Sequence, residues 1–180
     1  VFLGVKKGLE GFLKVVVLKR VLPHFTDNEQ FIRMFIDEAR IAARLDHPNI
    51  VRTYEFGEVN GQYYTVMEYL PGEDLRGILR RLSHARQRLP LHVAVGIVAQ
   101  LCAGLHCAHQ LTDTNGRPLN LVHRDVSPAN IILTYGGEVK VIDFGVAKTN
   151  MTATVTGTIK GKLAYMPPEQ ILARGVDQRS

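Results

Sequence analysis

Features that would assign this sequence to a specialised class of protein are scarce. It contains only two cysteines, Cys102 and Cys107, and their spacing does not match a metal site, so we expect two small core thiols. No apolar run approaches the roughly 20 residues that span a membrane, and there is no signal-peptide pattern. Internal repeats and low-complexity segments are also absent. These absences lead us to expect a cytoplasmic, reducing setting, with any membrane anchor of a longer protein outside these residues.

What is present is typical of a folded domain. Hydrophobic residues make up 46% of the 180 residues, which argues against disorder and allows one domain with a core. The formal net charge of +5 could favour phosphates or acidic substrates, but it also fits a solvated basic surface, and we expect no nucleic-acid partner. A predicted helix carries a group of arginines that could form either a solvated face or a basic docking surface: Arg80, Arg81, Arg86 and Arg88.

The stretch Leu121–Gly145 concentrates side chains suited to chemistry on phosphates. Ile131–Thr134 and Val139–Ile142 are predicted as two β-strands, because Gly136-Gly137 between them is typical of a hairpin turn. Around this hairpin the sequence places two carboxylates and an amide, Asp125, Asn130 and Asp143. Such oxygen ligands suit Mg²⁺, which proteins bind with few carboxylates and share with substrate phosphates. The stretch therefore predicts a metal-assisted phosphoryl-transfer site.

A lysine in an apolar strand is the next unusual feature. Val1–Val5 and Phe12–Leu22 are predicted as strands joined by a turn. Because side chains alternate along a strand, Lys19 shares one face with Val15, Val17 and Val21. A lysine in such a row either protects a sheet edge or binds an anionic partner, and the strand alone fits both.

The following helix supplies a partner for that lysine. Thr26 and Glu29 form a capping box, which predicts a helix that continues to about Leu45. Glu38 lies on the apolar stripe of this helix, where an unpaired carboxylate would be costly. We therefore predict an ion pair between Glu38 and Lys19.

Several of these segments together resemble the eukaryotic-like protein kinases. His123-Arg124-Asp125, followed five residues on by Asn130, and then Asp143-Phe144-Gly145, is similar to the catalytic loop and metal-binding turn of that family. Val16-Val17-Leu18-Lys19 resembles its lysine strand, and Glu38 stands at the position of its helix glutamate. The motifs occur in the family's order and at its spacing, on the expected strand, turn and strand.

The resemblance implies cofactors and a role for each motif residue. ATP and Mg²⁺ (or Mn²⁺) would be bound, with Asn130 and Asp143 holding the metal. Asp125 would accept or orient the proton of the acceptor hydroxyl, and Lys19, held by Glu38, would position the α- and β-phosphates. The closing run Pro167-Pro168-Glu169-Gln170 is similar to that of bacterial Hanks-type serine/threonine kinases, with proline where the family's usual motif has alanine.

The resemblance also implies where adenine would bind. The run from Val66 to Leu70 looks like the family's gatekeeper and hinge, with Met67 bordering the pocket and the backbone at Glu68 and Leu70 bonding the base. The side chains expected to sandwich the adenine are Val1, Val17 and Ile132. The same residues would also be expected in an ordinary core strand that binds no adenine.

A threonine-rich segment between Asp143 and Glu169 resembles the kinase activation segment. Within it Thr158 matches the position of the primary phosphorylation site, and Arg124 and Lys148 stand where the family places cations for that phosphate. This implies regulation by activation-loop phosphorylation, although an ordinary threonine-rich loop would have the same composition.

Two residues depart from the family's catalytic pattern. Ser127 stands where serine/threonine kinases usually have the lysine that steadies the γ-phosphate, and Lys162 stands where they usually have threonine. We expect an exchange of positions in which Lys162 supplies the cation that Ser127 lacks. The alternative is weakened catalysis. The pattern also differs from that of tyrosine kinases, because Ala129 stands where that group has arginine.

The predicted fold is the α+β, two-lobed protein-kinase-like fold, truncated at both ends. Residues 1–68 would form an incomplete N-lobe of antiparallel sheet plus the αC helix, and residues 69–180 the first part of a mainly helical C-lobe. A long helix is predicted from about Leu91 to His109, with an inward row of Ala94, Ile97, Val98, Leu101 and Leu105. Since the glycine-rich loop and the C-terminal helices are absent, residues 1–180 alone are expected to fold poorly and to be inactive.

The predicted function is transfer of the γ-phosphoryl of ATP to serine or threonine of a protein substrate, with self-association for autophosphorylation. One alternative is a pseudokinase that binds nucleotide or partners without turnover, which Ser127 favours. The other is a small-molecule phosphotransferase of the aminoglycoside-kinase type. A threonine-rich segment that closes in a Pro-Glu motif argues against the second alternative.

Overall fold

The first half of the chain is an antiparallel sheet with one helix. The computed structural model describes residues 1–22, 28–144, 163–172 and 174–180. The strands are β1 (Phe2–Lys7), β2 (Leu13–Arg20), β3 (Thr53–Val59) and β4 (Gln62–Glu68), and they lie in the order β1-β2-β4-β3. This arrangement confirms the predicted antiparallel sheet, but the sequence pattern does not predict β3.

Helix α1 (Glu29–Ala42) connects β2 to β3 and packs against the sheet through a small apolar cluster. The buried members of the cluster are Val21, Ile32 and Phe35. The helix begins two residues later than the capping box predicts, because the side chain of Asn28 accepts a hydrogen bond from the backbone N–H of Phe31. The predicted N-cap at Thr26 is therefore wrong, and Thr26 itself lies outside the described residues.

The second half contains a small sheet and the longer helices. In chain order it comprises β5 (Gly72–Asp74), α2 (Leu75–His84), α3 (Leu91–His109), β6 (Ile131–Thr134), β7 (Val139–Val141) and α4 (Pro168–Ile171), and its sheet has the order β5-β6-β7. The hairpin predicted at Gly136-Gly137 joins β6 to β7, with Gly137 at φ 87°, a conformation that glycine adopts without strain. The pairing of β5 with β6 is not predicted by the sequence pattern.

Helix α3 has the predicted bounds and contributes side chains to two apolar cores. Ile97 packs with residues of α2, β6 and β7, whereas Ala108 packs in the core that contains Val141 and Phe144. Two details differ from expectation: Val98 is 54% exposed rather than inward, and Cys102 is exposed rather than a core thiol.

The length and composition of α3 also correct an expectation from the sequence. An 18-residue window of this helix has a mean hydropathy of 1.7, so α3 is long and apolar enough to cross a membrane, and the expectation that no apolar run approaches that length is wrong. Because α3 contributes side chains to both cores of the second half, a helix of the folded domain satisfies the same criteria. Length and composition therefore do not by themselves make α3 a membrane span.

The connection from α1 to β3 joins the two halves. Backbone hydrogen bonds run from Val51 N–H to the carbonyl of Val141 and from Val141 N–H to the carbonyl of Asn49. The side-chain amide of Asn49 also donates to the carbonyl of Val139 at 2.8 Å. Leu45 packs in the same core as Val141, so the end of α1 is held against β7. This junction brings Glu38 of α1 and Asp143, which lies two residues after β7, to the same lysine, Lys19.

Gly72 provides a test of the β5–β6 pairing. A Cβ built at Gly72 would lie 2.6 Å from Cα of Thr134 and closer still to the carbonyl oxygen of Leu133. We expect Gly72→Ala to lower the free energy of unfolding of the complete domain by about 1–3 kcal/mol, because backbone atoms must move. The measurement is thermal or urea denaturation, with Gly77→Ala as control, since its Cβ would meet no atom closer than 3.6 Å. Equal stability of the two variants would contradict the close pairing.

Candidate active site

Lys19 is the residue at which the two halves of the chain meet. Its Nζ lies 2.6 Å from Oδ1 of Asp143 and 3.6 Å from Oε1 of Glu38, so the ion pair predicted with Glu38 is present. Burial acts to lower the pKa of Lys19, but the carboxylates of Asp143 and Glu38 outweigh it, and the pKa is raised above its ordinary value of 10.5. A raised pKa keeps Lys19 positively charged across the physiological range.

Asp125 and Asn130 are joined directly. The side-chain nitrogen of Asn130 donates to the backbone carbonyl of Asp125 at 2.8 Å and to its Oδ2 at 2.9 Å. Asn130 is fixed in turn by its backbone, because its N–H donates to the carbonyl of Ser127 and its carbonyl accepts from Ile142 N–H. The carboxylate of Asp125 is therefore held in one orientation by a buried amide.

His123 joins this loop to the end of β7. Its ring is 1% exposed, accepts at Nδ1 from the N–H of Asp125 at 3.2 Å, and donates from Nε2 to the carbonyl of Ile142 at 3.1 Å. It also packs on the ring of Phe144, with 4.7 Å between centroids. These contacts fix Asp125 relative to Asp143 through buried atoms.

Two residues of this region have strained backbones. Arg124 is at φ 63° and Asp143 at φ 55°, in the left-handed region that residues with a Cβ rarely adopt. Such conformations cost of order 1–3 kcal/mol each and are retained where the surrounding structure enforces them, typically at functional sites. The side-chain amide of Gln170 donates to the carbonyl of Arg124 at 3.0 Å, so helix α4 contributes to holding this loop.

The residues available for a metal ion are one carboxylate and one amide oxygen. The side chain of Asp143 is 41% exposed, and the nitrogen of Asn130 is committed to Asp125, which leaves Oδ1 of Asn130 to bind a cation. Within the described ranges, no three His, Cys, Asp or Glu side chains form a cluster that could hold a metal alone. A pair of hard oxygen donors fits Mg²⁺ or Mn²⁺ bound jointly with the phosphates of a nucleotide.

The predicted adenine-binding residues are only partly brought together. Val17 and Met67 are cross-strand partners on β2 and β4, and Met67 lines a cavity behind Lys19. Val1 is 81% exposed beside the sheet, and Ile132 lies half-buried on β6. Their contacts with adenine, and that of the Leu70 backbone, remain predictions.

Glu68 has a structural partner that the sequence pattern does not reveal. Lys140 is 7% exposed and its Nζ lies 3.3 Å from both carboxylate oxygens of Glu68. The N–H of Glu68 donates to the carbonyl of Arg52, so only its carbonyl could bond a base. The sequence feature that could have indicated this ion pair is the one that indicated the pair of Lys19, namely a lysine within an apolar strand.

Ser127 is a buried residue whose hydroxyl lacks a hydrogen bond to the described part of the chain. It is 5% exposed, and its Oγ has no hydrogen-bond partner among the residues that the structure describes. A buried polar atom without a partner is costly, so such an atom in a catalytic loop marks a place where another group is expected. Lys162, Lys148 and Thr158 lie outside the described residues, and their predicted roles are therefore not placed.

The fold, the lysine-carboxylate pairs and the Asp125–Asn130 loop together define a protein kinase domain. Residues 4–180 match the sequence model of the family described as protein kinase domain. The chain therefore belongs to the protein kinase family, and the predicted fold and family are confirmed. The division into residues 1–68 and 69–180 remains a prediction.

Bacterial protein kinases are among the relatives. The tyrosine-protein kinase MasK of Myxococcus xanthus is 50% identical over 182 residues, which cover all of this chain and 28% of MasK. The serine/threonine-protein kinase PrkC of Bacillus subtilis is 37% identical over 164 residues, 89% of this chain and 23% of PrkC. A crystal structure of the Mycobacterium tuberculosis PknI kinase domain has a TM-score of 0.68 and 32% identity, covering 94% of this chain and 60% of that one. The chain thus spans about a quarter of the length of these curated relatives.

Proposed function

We propose that the protein containing this chain is an ATP-dependent protein serine/threonine kinase. The observation that carries the proposal is that one site contains both a lysine paired with two carboxylates and an aspartate oriented by an asparagine. Lys19 is bound to both Glu38 and Asp143, and Asp125 is oriented by Asn130. Membership of the protein kinase family and relatives named as serine/threonine kinases support this function. A pseudokinase is less favoured, because the lysine, the loop aspartate and both proposed metal ligands are retained.

Each residue of the site has a task that its geometry allows. Lys19 stays charged and would bind the α- and β-phosphates of ATP, while Glu38 limits its motion. Asn130 and Asp143 would hold Mg²⁺, which offsets the charge that develops on the transferred phosphoryl. Asp125, fixed by Asn130 and His123, would orient the acceptor hydroxyl and take its proton.

The identity of the acceptor amino acid is the part of the proposal that most needs a test. Serine or threonine is supported by PrkC and by Ala129, whereas the 50% identity to MasK favours tyrosine as a second candidate. The test is to incubate the complete domain with Mg²⁺-ATP and a peptide pool that presents serine, threonine and tyrosine in matched contexts. Mass spectrometry should find phosphoserine or phosphothreonine, and phosphotyrosine alone would establish the second candidate.

We further propose that Lys162 supplies the cation that the catalytic loop lacks at Ser127. The unsatisfied, buried Oγ of Ser127 supports this proposal, because it marks a position at which the γ-phosphate or a neighbouring cation would complete the site.

Phosphorylation of Thr158, with Arg124 and Lys148 as its cations, is likewise proposed, as is self-association for autophosphorylation. A cytoplasmic location of the catalytic domain is also proposed, on the sequence alone.

The exchange hypothesis predicts a loss and a rescue. Lys162→Ala should lower kcat of the complete domain by about 100-fold, because placed positive charge is a main source of catalysis in phosphoryl transfer. The double variant Ser127→Lys with Lys162→Ala should recover much of that loss, since it restores the family's usual arrangement. Steady-state kinetics on one peptide substrate gives both results, with Lys160→Ala as the control. Unchanged turnover in Lys162→Ala would overturn the hypothesis.

A further inference from the structure

One region of the chain carries basic side chains and no acidic ones. Residues 75–112 contain five arginines and no aspartate or glutamate. The whole chain has 22 basic and 17 acidic side chains, so without these five arginines the two signs would balance at 17 each. The arginines are Arg76, Arg80, Arg81, Arg86 and Arg88, and all belong to helix α2 or the turn that follows it. The rest of the chain is therefore neutral as a whole, and the net charge of +5 equals the charge of these five arginines.

Part of this charge is compensated by the two acidic residues that precede α2, but the rest is not. Arg81 pairs with Glu73 at 2.6 Å, and Arg76 lies 3.9 Å from Asp74. The other three arginines, Arg80, Arg86 and Arg88, are exposed and have no carboxylate of the described residues within salt-bridge distance. Uncompensated arginines attract acidic groups, and they bind carboxylates in a bidentate manner.

Two of these arginines, Arg86 and Arg88, line a groove together with three leucines, and Arg80 lies next to the lining residue Leu79 in the sequence. The groove has a volume of about 440 Å³ and is lined by Leu79, Leu82, Ser83, Arg86, Gln87, Arg88 and Leu89. Its shape is fixed by the end of the helix, where Arg86 N–H donates to the carbonyl of Ser83 and Gln87 N–H to that of Leu82. Because leucine side chains and guanidinium groups both line the groove, it suits a chain that carries both leucine-like and acidic side chains.

The groove also lies at a useful distance from the candidate active site. The first turn of α2 is capped by Asp74, and the helix packs against the turn Pro128–Asn130 of the catalytic loop. The ten residues of α2 span about 15 Å, so the groove lies roughly that far from the loop. About five extended residues of a bound peptide would cover this distance.

We propose that the groove at the C-terminal end of α2 docks an acidic, leucine-containing segment of the protein substrate. This rests on the proposed kinase function. Docking holds the acceptor hydroxyl near Asp125 and raises its effective concentration without any new contact at the site of transfer. Charge complementarity selects an acidic peptide as the occupant, and the three leucines of the lining select one with apolar residues.

The first test measures binding and does not depend on catalysis. A fluorescein-labelled peptide of leucine and glutamate is titrated with the complete domain and followed by fluorescence anisotropy, beside an analogue with glutamine for glutamate. Combining Arg80→Gln, Arg86→Gln and Arg88→Gln should weaken binding of the acidic peptide about tenfold, the expected sum of three exposed ion pairs. A control combining Lys7→Gln, Arg33→Gln and Arg117→Gln removes the same charge from other exposed positions and should leave binding unchanged.

The second test compares a serine peptide with and without the acidic extension. The triple arginine variant should raise KM for the extended peptide about tenfold and leave kcat, and KM for the short peptide, unchanged. If the wild-type domain phosphorylates neither peptide, the kinase proposal fails while the anisotropy still decides the docking proposal. Docking is overturned if the triple variant binds the acidic peptide as well as the wild type does, or if the glutamine analogue binds equally. It is also overturned if phosphatidylglycerol vesicles or duplex DNA bind the groove more tightly than the peptide.

Discussion

Replacing Asp143 with asparagine should reduce kcat of the complete kinase domain by about 1,000-fold or more, because the site loses its only proposed carboxylate ligand for the metal. The same change removes the negative charge that lies 2.6 Å from Nζ of Lys19. Lys19 retains Glu38 at 3.6 Å, so binding of metal-free ATP should persist. The measurement is steady-state phosphorylation of a peptide together with nucleotide titration in the presence and absence of Mg²⁺.

A matched control for this variant is Asp113→Asn. Asp113 lies in the surface turn between α3 and the catalytic loop, where its carboxylate accepts hydrogen bonds from the N–H groups of Asn115 and Arg117. It should therefore retain full turnover. If Asp143→Asn kept wild-type kcat and the same response to Mg²⁺, Asp143 would not be a metal ligand.

Asp125→Asn should lower kcat by about 10²- to 10⁴-fold, the usual contribution of a general base. The substitution keeps the shape of the side chain, and the amide of Asn130 can still donate to the remaining oxygen, so the loop should keep its conformation. Binding of Mg²⁺-ATP should therefore stay close to the wild-type value. The loss is expected in turnover and not in nucleotide affinity, and single-turnover kinetics with a peptide substrate separates the two.

Asn130→Ala separates the orientation of Asp125 from its chemical role as a base in the same loop. It leaves the carboxylate of Asp125 in place but removes the hydrogen bonds from Asn130 to that carboxylate and to the backbone carbonyl of Asp125, and it removes one proposed metal ligand. It should lower both kcat and the affinity for Mg²⁺-ATP. A fall in nucleotide affinity in Asp125→Asn that matched the fall in Asn130→Ala would contradict the separate roles of the two residues.

Local patterns predict the parts of the site that lie close together in the sequence. The hairpin at Gly136-Gly137 follows from turn chemistry, and the Lys19–Glu38 pair follows from a lysine and a carboxylate on facing apolar surfaces. The N-cap of α1 is predicted incorrectly, because threonine and asparagine are both good caps and propensity does not distinguish Thr26 from Asn28.

Contacts between distant segments are the parts that no spacing rule provides. Lys19 and Asp143 are 124 positions apart, and Lys140 and Glu68 are 72 positions apart. Each pair forms because a lysine in an apolar strand cannot remain buried without an anion, but the choice of anion depends on how the two halves pack. The unsatisfied Oγ of Ser127 is likewise visible only once its neighbours have been placed.

The central claim is that Asp125, Asn130 and Asp143 form a Mg²⁺-dependent site that transfers the γ-phosphoryl of ATP to a protein hydroxyl. The most direct measurement follows transfer from γ-labelled ATP by the complete domain, in wild-type, Asp125→Asn, Asp143→Asn and Asp113→Asn forms, with and without EDTA. The account predicts labelled serine or threonine only with the wild type and Asp113→Asn, and none in EDTA. Transfer that persisted in Asp143→Asn, or a wild-type domain that bound ATP but transferred nothing, would contradict it.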